Sequence, residues 1–192
     1  MIPSRRVFED YAGDYDQWFD EHPDTWQEQQ QMLRKALPNH GRGLEMGVGS
    51  GWFAVPFGIR YGIDPSRELA RMAMRRGIEV VRGEGELLPY RSGTFDYVLM
   101  MTVICFLDDV PAVFHEVYRV LKEGGTLVAG FIERGGEIQR EYCGEPTKGR
   151  FLQFAKFRTA ENVERFFKGA GFARIAGMER AHGFCVMAGR KQ

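Results

Sequence analysis

The stretch LEMGVGSGWFAVPF, residues 44–57, decides the fold. A short apolar run ends in three glycines at alternating positions, Gly47, Gly49 and Gly51, followed at once by Trp52. In an open parallel sheet, the turn after the first strand is the usual contact for a nucleotide, because glycine lets a ligand approach the main chain closely. The spacing therefore predicts a nucleotide-type ligand, whose identity depends on the residues that follow.

Short apolar segments alternate with helical patterns on the C-terminal side of this turn. The candidate strands are GLEMG, YGID, IEVVRG, FDYVLMM and GTLVAGFI, followed after a last helix by ARIAGMER and FCVMAGR. Strands that alternate with helices predict a parallel sheet with helices on both faces. Only residues 181–183 separate the last two strands, which predicts an antiparallel hairpin at the sheet edge. The pattern indicates an α/β fold with a doubly wound, mostly parallel, seven-stranded sheet.

The length and apolar content predict one domain, residues 1–192, because 192 residues with 44% hydrophobic side chains can bury a substantial core. Residues 1–40 are predicted to be an N-terminal helical segment. Residues 133–156 are polar and glycine-rich, and are predicted to be a loop or insertion on the ligand side. Helices are predicted between the strands at residues 66–77 and 109–124.

Charge and cysteine content narrow the class of partner. The 26 Lys and Arg residues balance the 26 Asp and Glu residues, so the chain has no general attraction for nucleic acid or an anionic membrane. A small-molecule partner is favoured. The apolar runs are too short for a transmembrane helix and the N-terminus does not resemble a signal peptide, so we expect a cytoplasmic protein. The cysteines, Cys105, Cys143 and Cys185, are far apart and odd in number, which predicts reduced thiols and no metal site.

Three residues near the glycines discriminate between ligands. A dinucleotide fingerprint has its third glycine three residues after the second, and Trp52 occupies that position, which disfavours a pyrophosphate. The carboxylate of Glu45 would repel a pyrophosphate but can accept hydrogen bonds from a cationic amino-acid group. Asp64 ends the strand YGID, where it can accept both hydroxyls of a ribose; capping of the next helix is the alternative. The ligand predicted from these residues carries an ammonium and a sulfonium.

These residues resemble the class I S-adenosylmethionine-dependent methyltransferases, of the small-molecule, methyltransferase-11-like type. LEMGVGSG is similar to the family's first motif, YGIDPS to its second, and RGEGELLPYRSGTFDYVLM to the stretch with its third and fourth. EVYRVLKEGGTLVAG and RTAENVERFFKGAGF resemble the elements that follow, so the resemblance covers nearly the whole chain. It implies a Rossmann-like fold, S-adenosylmethionine as cofactor with S-adenosylhomocysteine as product, and in-line transfer of a methyl group to a small molecule.

The resemblance also implies a set of cofactor-binding residues, namely Glu45, Gly47, Gly49, Ser50, Gly51, Asp64, Pro65, Ser66, Glu84, Gly85, Met101 and Tyr15. By this resemblance Glu45 lies near the methionyl amino group, the glycine loop surrounds the methionine moiety, and Asp64 holds the ribose hydroxyls.

The remaining implied roles concern the adenosine and the reacting methyl group. Residues 65–66 would flank the adenosine, Glu84 would lie near the adenine amino group, and the Gly85 amide would reach the adenine ring. Met101 would lie beside the methyl-bearing half of the cofactor. FEDYAGDYDQWF resembles the family's lid segment, in which Tyr15 would close over the site. The alternatives are a solvated Glu84, a Met101 that belongs to the core, and a Tyr15 that only packs a helix on the body.

One segment departs from the family pattern. Only twelve residues separate Gly51 from Asp64, and they include Pro56 and Gly58, where relatives have a longer helix. A helix here can have barely two turns, because proline is tolerated only near a helix start.

No catalytic residue is assigned from the sequence. In-line methyl transfer depends mainly on alignment and exclusion of water, and a general base is needed only for a protonated nucleophile. The isolated histidines, among them His115 and His182, and the carboxylates of Asp108 and Glu133 carry no pattern that marks a base. The alternatives to an enzyme of this family are a non-catalytic protein that binds S-adenosylmethionine or S-adenosylhomocysteine and, disfavoured by Trp52, an NAD-dependent oxidoreductase.

Overall fold

The computed structural model describes residues 3–144 and 149–192, with the backbone alone for residues 3–5, 143–144 and 176–178. The strands form a seven-stranded sheet in the order β3-β2-β1-β4-β5-β7-β6. In chain order they are β1 (Gly43–Met46), β2 (Tyr61–Asp64), β3 (Glu79–Arg82), β4 (Phe95–Met101), β5 (Leu121–Ile132), β6 (Ala173–Ala181) and β7 (Phe184–Arg190).

The helices begin at residues that suit a helix N-terminus. In chain order they are α1 (Pro3–Asp10), α2 (Ala12–Glu21), α3 (Pro23–Ala36), α4 (Arg67–Arg75), α5 (Val110–Val120), α6 (Glu137–Gly144) and α7 (Ala160–Gly169). The side chains of Ser66, Asp109 and Thr159 each accept a hydrogen bond from the first turn of α4, α5 and α7. These caps satisfy main-chain N–H groups that a helix start would otherwise leave unpaired.

The strand order reverses beside β1. Strands β1 to β5 pair parallel, with β1 between β2 and β4, so the chain runs outward to β3 and then crosses back to β4. Strand β7 is antiparallel to both β5 and β6. In an open α/β sheet, ligands bind outside the carboxyl ends of the strands at such a reversal. The ends of β1, β2 and β4 therefore position the site.

Side chains of β4 alternate between the two faces of the sheet. Val98 and Met100 pack in a core with α5 and α7, whereas Tyr97, Leu99 and Met101 pack in a second core with α3 and α4. This alternation follows from the two-residue period of a strand. The predicted α/β fold, with its mostly parallel sheet, helices on both faces and C-terminal hairpin, is confirmed.

Local boundaries differ from the prediction in two places. Helix α5 ends at Val120 rather than near residue 124, because Leu121 already pairs with Phe95 in the sheet. The segment after the glycine loop forms no α-helix; its helical part is a single 3₁₀ turn, Val55–Phe57, followed by Gly58 with φ 66°. Pro56 lies inside that turn. In a longer helix its missing N–H would break a main-chain hydrogen bond, but a single turn needs no such bond at this position.

The range predicted as a loop, residues 133–156, contains α6 and a 3₁₀ turn at Leu152–Phe154. Residues 145–148 of this range, and the thiol of Cys143, lie outside the described part of the chain. Cys105 and Cys185 are buried free thiols. Across the described ranges, 3–144 and 149–192, the helices are too short or too polar to cross a membrane.

Candidate active site

The glycine loop has a backbone that only glycine adopts readily. Gly47, Gly49 and Gly51 have φ of 73°, 54° and 93°. The amide of Gly47 donates to the carbonyl of Ile63 at 2.8 Å, which joins the loop to the end of β2. A Cβ atom on Gly47 would lie 2.7 Å from a methyl carbon of Val103. The loop therefore needs glycine for both its φ angles and its close packing.

Asp64 joins the glycine loop to the start of α4. Its carboxylate accepts hydrogen bonds from the amide of Gly49 at 2.8 Å and from the amide of Ser66 at 2.9 Å. The side chain is nearly buried, with 7% exposed. Burial raises the pKa of Asp64 to about 6, although the two amide bonds favour the ionised form. The carboxylate is thus held between two loops while one edge faces a cavity.

Glu45 lies behind the glycine loop. It is 2% exposed, its carboxylate accepts a hydrogen bond from the Ala54 amide, and its Oε2 atom has no hydrogen-bond partner among the described residues. Burial and the negative charge of Asp64 raise the pKa of Glu45 well above its usual range. A buried polar atom of this kind is uncommon unless a ligand or water satisfies it.

Helices α1 and α2 cover the loop through Tyr15. The Tyr15 ring lies 3.2 Å from the position that a Cβ on Gly49 would take. Its edge contacts Phe8, Phe19 and Phe151, with ring centroids 5.5, 5.4 and 5.7 Å away. Burial, followed by the negative charge of Asp64, raises the pKa of the Tyr15 phenol. Tyr15 therefore covers Gly49 and remains neutral.

A polar cluster, here called the lid latch, ties α2 to the loop and to the end of α4. The carboxylate of Asp16 accepts hydrogen bonds from the indole of Trp52 at 2.7 Å and from Arg76 at 3.0 Å. Arg76 also donates to the carbonyl of Ser50 at 2.9 Å, and Trp52 stacks on Phe19. Burial raises the pKa of Asp16, but its hydrogen bonds, led by that from Arg76, outweigh burial and hold the pKa below its usual value. Sequence reasoning used Trp52 only to exclude a pyrophosphate.

A cavity of about 820 Å³ opens at the carboxyl ends of β1, β2 and β4. Eight of the twelve residues predicted to bind the cofactor line it: Tyr15, Gly47, Asp64, Pro65, Ser66, Glu84, Gly85 and Met101. The other four, Glu45, Gly49, Ser50 and Gly51, lie in or behind the loop and do not reach the cavity wall. The burial of Glu45 and Ser50 and the cover that Tyr15 provides explain this difference.

The cavity residues that follow β2 and those that follow β3 differ in their hydrogen bonds and exposure. The hydroxyl of Ser66 donates to Glu9 of α1 at 2.7 Å and accepts from the Leu69 amide, so it caps α4. Glu84 is exposed and Gly85 is buried. A Cβ on Gly85 would lie 3.1 Å from the sulfur of Met46 beneath it.

The residue after β4 has a strained backbone. Thr102 has φ 50°, an unusual angle for a threonine, and its amide donates to the Gly130 carbonyl at 2.8 Å. Both Met101 and Thr102 line the cavity. Strain of this kind persists where surrounding contacts fix the main chain, and it often occurs at functional sites.

The far end of the cavity is formed by residues that sequence reasoning missed. We call this part the distal chamber and define it by Thr25, Glu28, Gln29 and Met32 of α3, Glu137, Ile138 and Glu141 of α6, and His182 of the hairpin turn. The α3 residues repeat with i, i+3, i+4, i+7 spacing, which is the signal of a single helix face. That face was predicted as helical, but its polar members were not assigned to a site.

The residues considered as general bases lie in different parts of the molecule. His182 lies in the distal chamber, where its Nδ1 is 2.9 Å from the carboxylate of Glu137, and this hydrogen bond raises the pKa of His182. His115 is on α5, where it bonds the Pro111 carbonyl, away from the cavity. Glu133 accepts from the Ala160 amide and so holds the start of α7. Among the described residues, no group of three or more His, Cys, Asp or Glu side chains is placed to hold a metal ion.

Comparison with known proteins agrees with this arrangement. Residues 44–129 match the family model described as a methyltransferase domain. An uncharacterised protein of Methanocaldococcus jannaschii is 40% identical over 169 residues, which are 88% of this chain and 82% of that protein.

Solved structures are similar over nearly the whole chain. A Thermotoga maritima protein, described as an S-adenosylmethionine-dependent methyltransferase and a possible histamine N-methyltransferase, is 33% identical with a TM-score of 0.90, and the similarity covers 97% of this chain and 99% of that one. Phosphoethanolamine N-methyltransferase 2 of Haemonchus contortus, in complex with S-adenosyl-L-methionine, has the same fold at 17% identity, with a TM-score of 0.67 over 86% of this chain and 52% of that one.

Proposed function

Because the chain belongs to the S-adenosylmethionine-dependent methyltransferases, we propose that it transfers a methyl group to a small-molecule acceptor bound in the distal chamber. The single observation that carries this proposal is the cavity of about 820 Å³, whose wall includes both Asp64 and the residues of the distal chamber. Small-molecule sites are clefts of roughly 300–1,000 Å³. The family assignment sets aside the NAD-dependent alternative.

The residues around the glycine loop fit this cofactor. We propose that Asp64, whose two oxygens each bond one amide, accepts the ribose hydroxyls with its remaining lone pairs. The adenine would lie against residues 83–86, all of which line the cavity. The unpartnered Oε2 of Glu45 supports a role toward the methionyl amino group, either through the loop or through water.

The residues that line the cavity also support a proposed division of the chain. Residues 1–192 would act as one methyltransferase domain in which residues 1–40 form the lid and residues 133–156 form the acceptor side. Tyr15 and the lid latch support the first assignment, and α6 on the cavity wall supports the second.

When bound, the cofactor supplies an electrophilic methyl group on a sulfonium. The contribution of the chain is to position the acceptor and exclude water, since in-line transfer depends on alignment. Phe8, Tyr15 and Phe151 close one side of the cavity with apolar rings. No side chain is assigned as a general base.

The experiment that tests this proposal combines binding with turnover. Calorimetry with S-adenosylhomocysteine and NAD should show binding of the first only, and Asp64→Ala should weaken it by about 1–3 kcal/mol. Release of S-adenosylhomocysteine from S-adenosylmethionine should then be stimulated by members of a small-molecule library. Tight binding without stimulation by any small molecule, but with methylation of a protein or nucleic acid, would overturn the small-molecule assignment.

A further inference from the structure

We propose that the distal chamber selects an acceptor with a cationic amine group and an apolar body; this inference rests on the proposed function. Eight carboxylate residues line the cavity, among them Glu28, Glu137 and Glu141 of the chamber. The basic side chains on the same wall are His22, Arg150 and His182. Because the chain as a whole carries equal numbers of acidic and basic residues, this excess is local. A wall of one sign concentrates ligands of the opposite sign.

Among the described residues, a single imidazole faces the two carboxylates of Glu28 and Glu137, so this pair keeps a negative charge even when His182 is protonated. Arg150 pairs with Asp14 and lies over the ring of Tyr11, outside the chamber. His182 bonds Glu137 at 2.9 Å, and its other ring nitrogen is 4.0 Å from Glu28. One imidazole therefore faces the carboxylates of α3 and α6 at the mouth of the chamber, and the net charge there favours a cation.

Gln29 adds an observation that is independent of charge. It is 8% exposed and lies on the inner wall of the cavity. Within residues 3–144 and 149–192, its carboxamide makes no hydrogen bond with another residue. Its amide atoms are not among the fully enclosed, unpartnered polar atoms of the described residues, so they reach the cavity, where a ligand that accepts or donates a hydrogen bond can pair with them.

The rest of the lining fits an apolar body. Met32, Ile132, Ile138 and Phe184 supply the hydrophobic part of the wall at this end. Trp18 and His22 also line the cavity, stacked 4.5 Å apart. The combination of carboxylates, aromatic rings and aliphatic side chains suits an acceptor with a cationic amine and an apolar body.

The chemistry of an amine acceptor is consistent with these groups. The bound ammonium first loses one proton to water. The neutral amine then gives its lone pair to the methyl carbon, and the carbon–sulfur bonding pair leaves with the sulfur of S-adenosylhomocysteine. The nitrogen then carries one positive charge, which a primary or secondary amine loses as a proton to water. Carboxylates near the nitrogen stabilise the charge that develops there.

The test is calorimetry with the 192-residue chain saturated with S-adenosylhomocysteine. The probes are benzylamine, 2-phenylethylamine and 3-phenylpropylamine, each compared with its matching alcohol and carboxylate. We expect at least one amine to bind tenfold more tightly than its alcohol, and its carboxylate not to bind. Glu28→Gln and Glu137→Gln should each weaken amine binding about three- to tenfold while alcohol binding is unchanged.

Controls separate this proposal from general effects. Glu164→Gln removes an exposed carboxylate that pairs with Lys168 on α7, far from the cavity, and should leave amine binding unchanged. Gln29→Leu should weaken both the amine and the alcohol, because it removes a hydrogen bond rather than a charge. Absence of amine binding, or equal affinity for amine and alcohol in the saturated protein, would overturn the inference. Failure to bind S-adenosylhomocysteine would instead overturn the proposed function.

Discussion

The carboxylate of Asp64 has a structural role, and we propose that it also binds the cofactor. It holds the amides of Gly49 and Ser66 and faces the cavity with a pKa of about 6. Ribose hydroxyls donate to the ionised carboxylate, so binding favours the deprotonated form. The affinity for the cofactor should therefore be constant above about pH 7 and fall as the pH drops through 6.

This prediction is checked by measuring the dissociation constant of S-adenosylhomocysteine between pH 5 and pH 7.5. Below pH 6 the constant should increase by up to about tenfold per pH unit, because one proton must leave Asp64 on binding. Asp64→Asn should bind more weakly and show a smaller pH dependence in that window; Glu45, whose pKa burial also raises, remains in the variant. A wild-type affinity that does not change from pH 5 to pH 7.5 would show that Asp64 does not titrate on binding.

Gly47 offers a second prediction for a single residue. Its φ of 73° disfavours any side chain, and a Cβ would also lie 3.0 Å from the Cβ of Val103, a stiff branched residue. Gly58 has a similar φ of 66°, but the space that its Cβ would enter has no other atom within 4 Å. Gly47→Ala should lower the free energy of unfolding by about 2–3 kcal/mol, and Gly58→Ala by about 1 kcal/mol.

Chemical denaturation of the two variants measures this difference. Because the φ penalty is common to both, the excess loss at Gly47 reports the clash with Val103. Equal losses in the two variants would mean that Val103 moves aside freely and that the tight packing of the loop is unimportant for stability.

Residues differ in how far they could be predicted from the sequence. Asp64 and Gly47 belong to contiguous motifs, so their places beside one another follow from strand ends that meet at one sheet edge. Glu28 and His182 are 154 positions apart, and only the packing of α3 against the hairpin brings them together. Gln29 carries no chemical pattern in the sequence, and only its burial without a partner marks it.

At the scale of elements, the lid latch is the main link between α2 and the glycine loop. Asp16→Asn keeps an acceptor for the Trp52 indole but removes the ion pair with Arg76. The lid should open more easily, so the dissociation rate of S-adenosylhomocysteine should increase about three- to tenfold. Stopped-flow tryptophan fluorescence measures this rate.

A neighbouring arginine provides the control for the latch. Arg75 is exposed on the same helix, α4, and Arg75→Gln should leave the dissociation rate unchanged. If Asp16→Asn also leaves the rate unchanged while the protein stays folded, then opening of α2 does not limit release of the ligand.

Helices and strands with a clear hydrophobic period were predicted well, whereas their boundaries and the segments that connect them were not. The strands follow apolar runs with branched residues, and caps mark α4, α5 and α7. The end of α5 was misplaced because VLKEGG continues a helical pattern, whereas pairing of Leu121 with Phe95 starts the next strand earlier. The single turn at Val55–Phe57 reflects Pro56 and a left-handed Gly58, which shorten the segment below the expected two turns.

At the scale of the whole molecule, ligand binding should stabilise the fold by mass action. S-adenosylhomocysteine at one hundred times its dissociation constant adds about 2.7 kcal/mol, which for a chain of this size corresponds to an increase in Tm of about 5–10 °C. Differential scanning fluorimetry checks this value, with NAD at the same concentration as the control. A similar increase with NAD would contradict the cofactor assignment.

The overall architecture was predictable because it depends on patterns repeated along the whole chain. The order of helices and strands fixes a doubly wound sheet, and the short turn fixes the final hairpin; it spans two residues, 182–183, rather than the predicted 181–183, because Ala181 already pairs with Phe184. The distal chamber, our proposed acceptor site, was not predictable, because it combines side chains from α3, α6 and the hairpin turn, whose relative positions follow only from tertiary packing.

The two ends of the cavity come from different parts of the sequence, and this affects how such a protein can diverge. The proposed cofactor end is built mainly within residues 44–129, the part that matches the family model, whereas the distal chamber comes from residues 25–32, 137–141 and 182, all outside it. If the acceptor binds in the distal chamber as we propose, selection can retarget the enzyme to new acceptors by changing three separate short segments, while the part that matches the family model stays intact. Engineering of acceptor choice should begin with libraries confined to those segments.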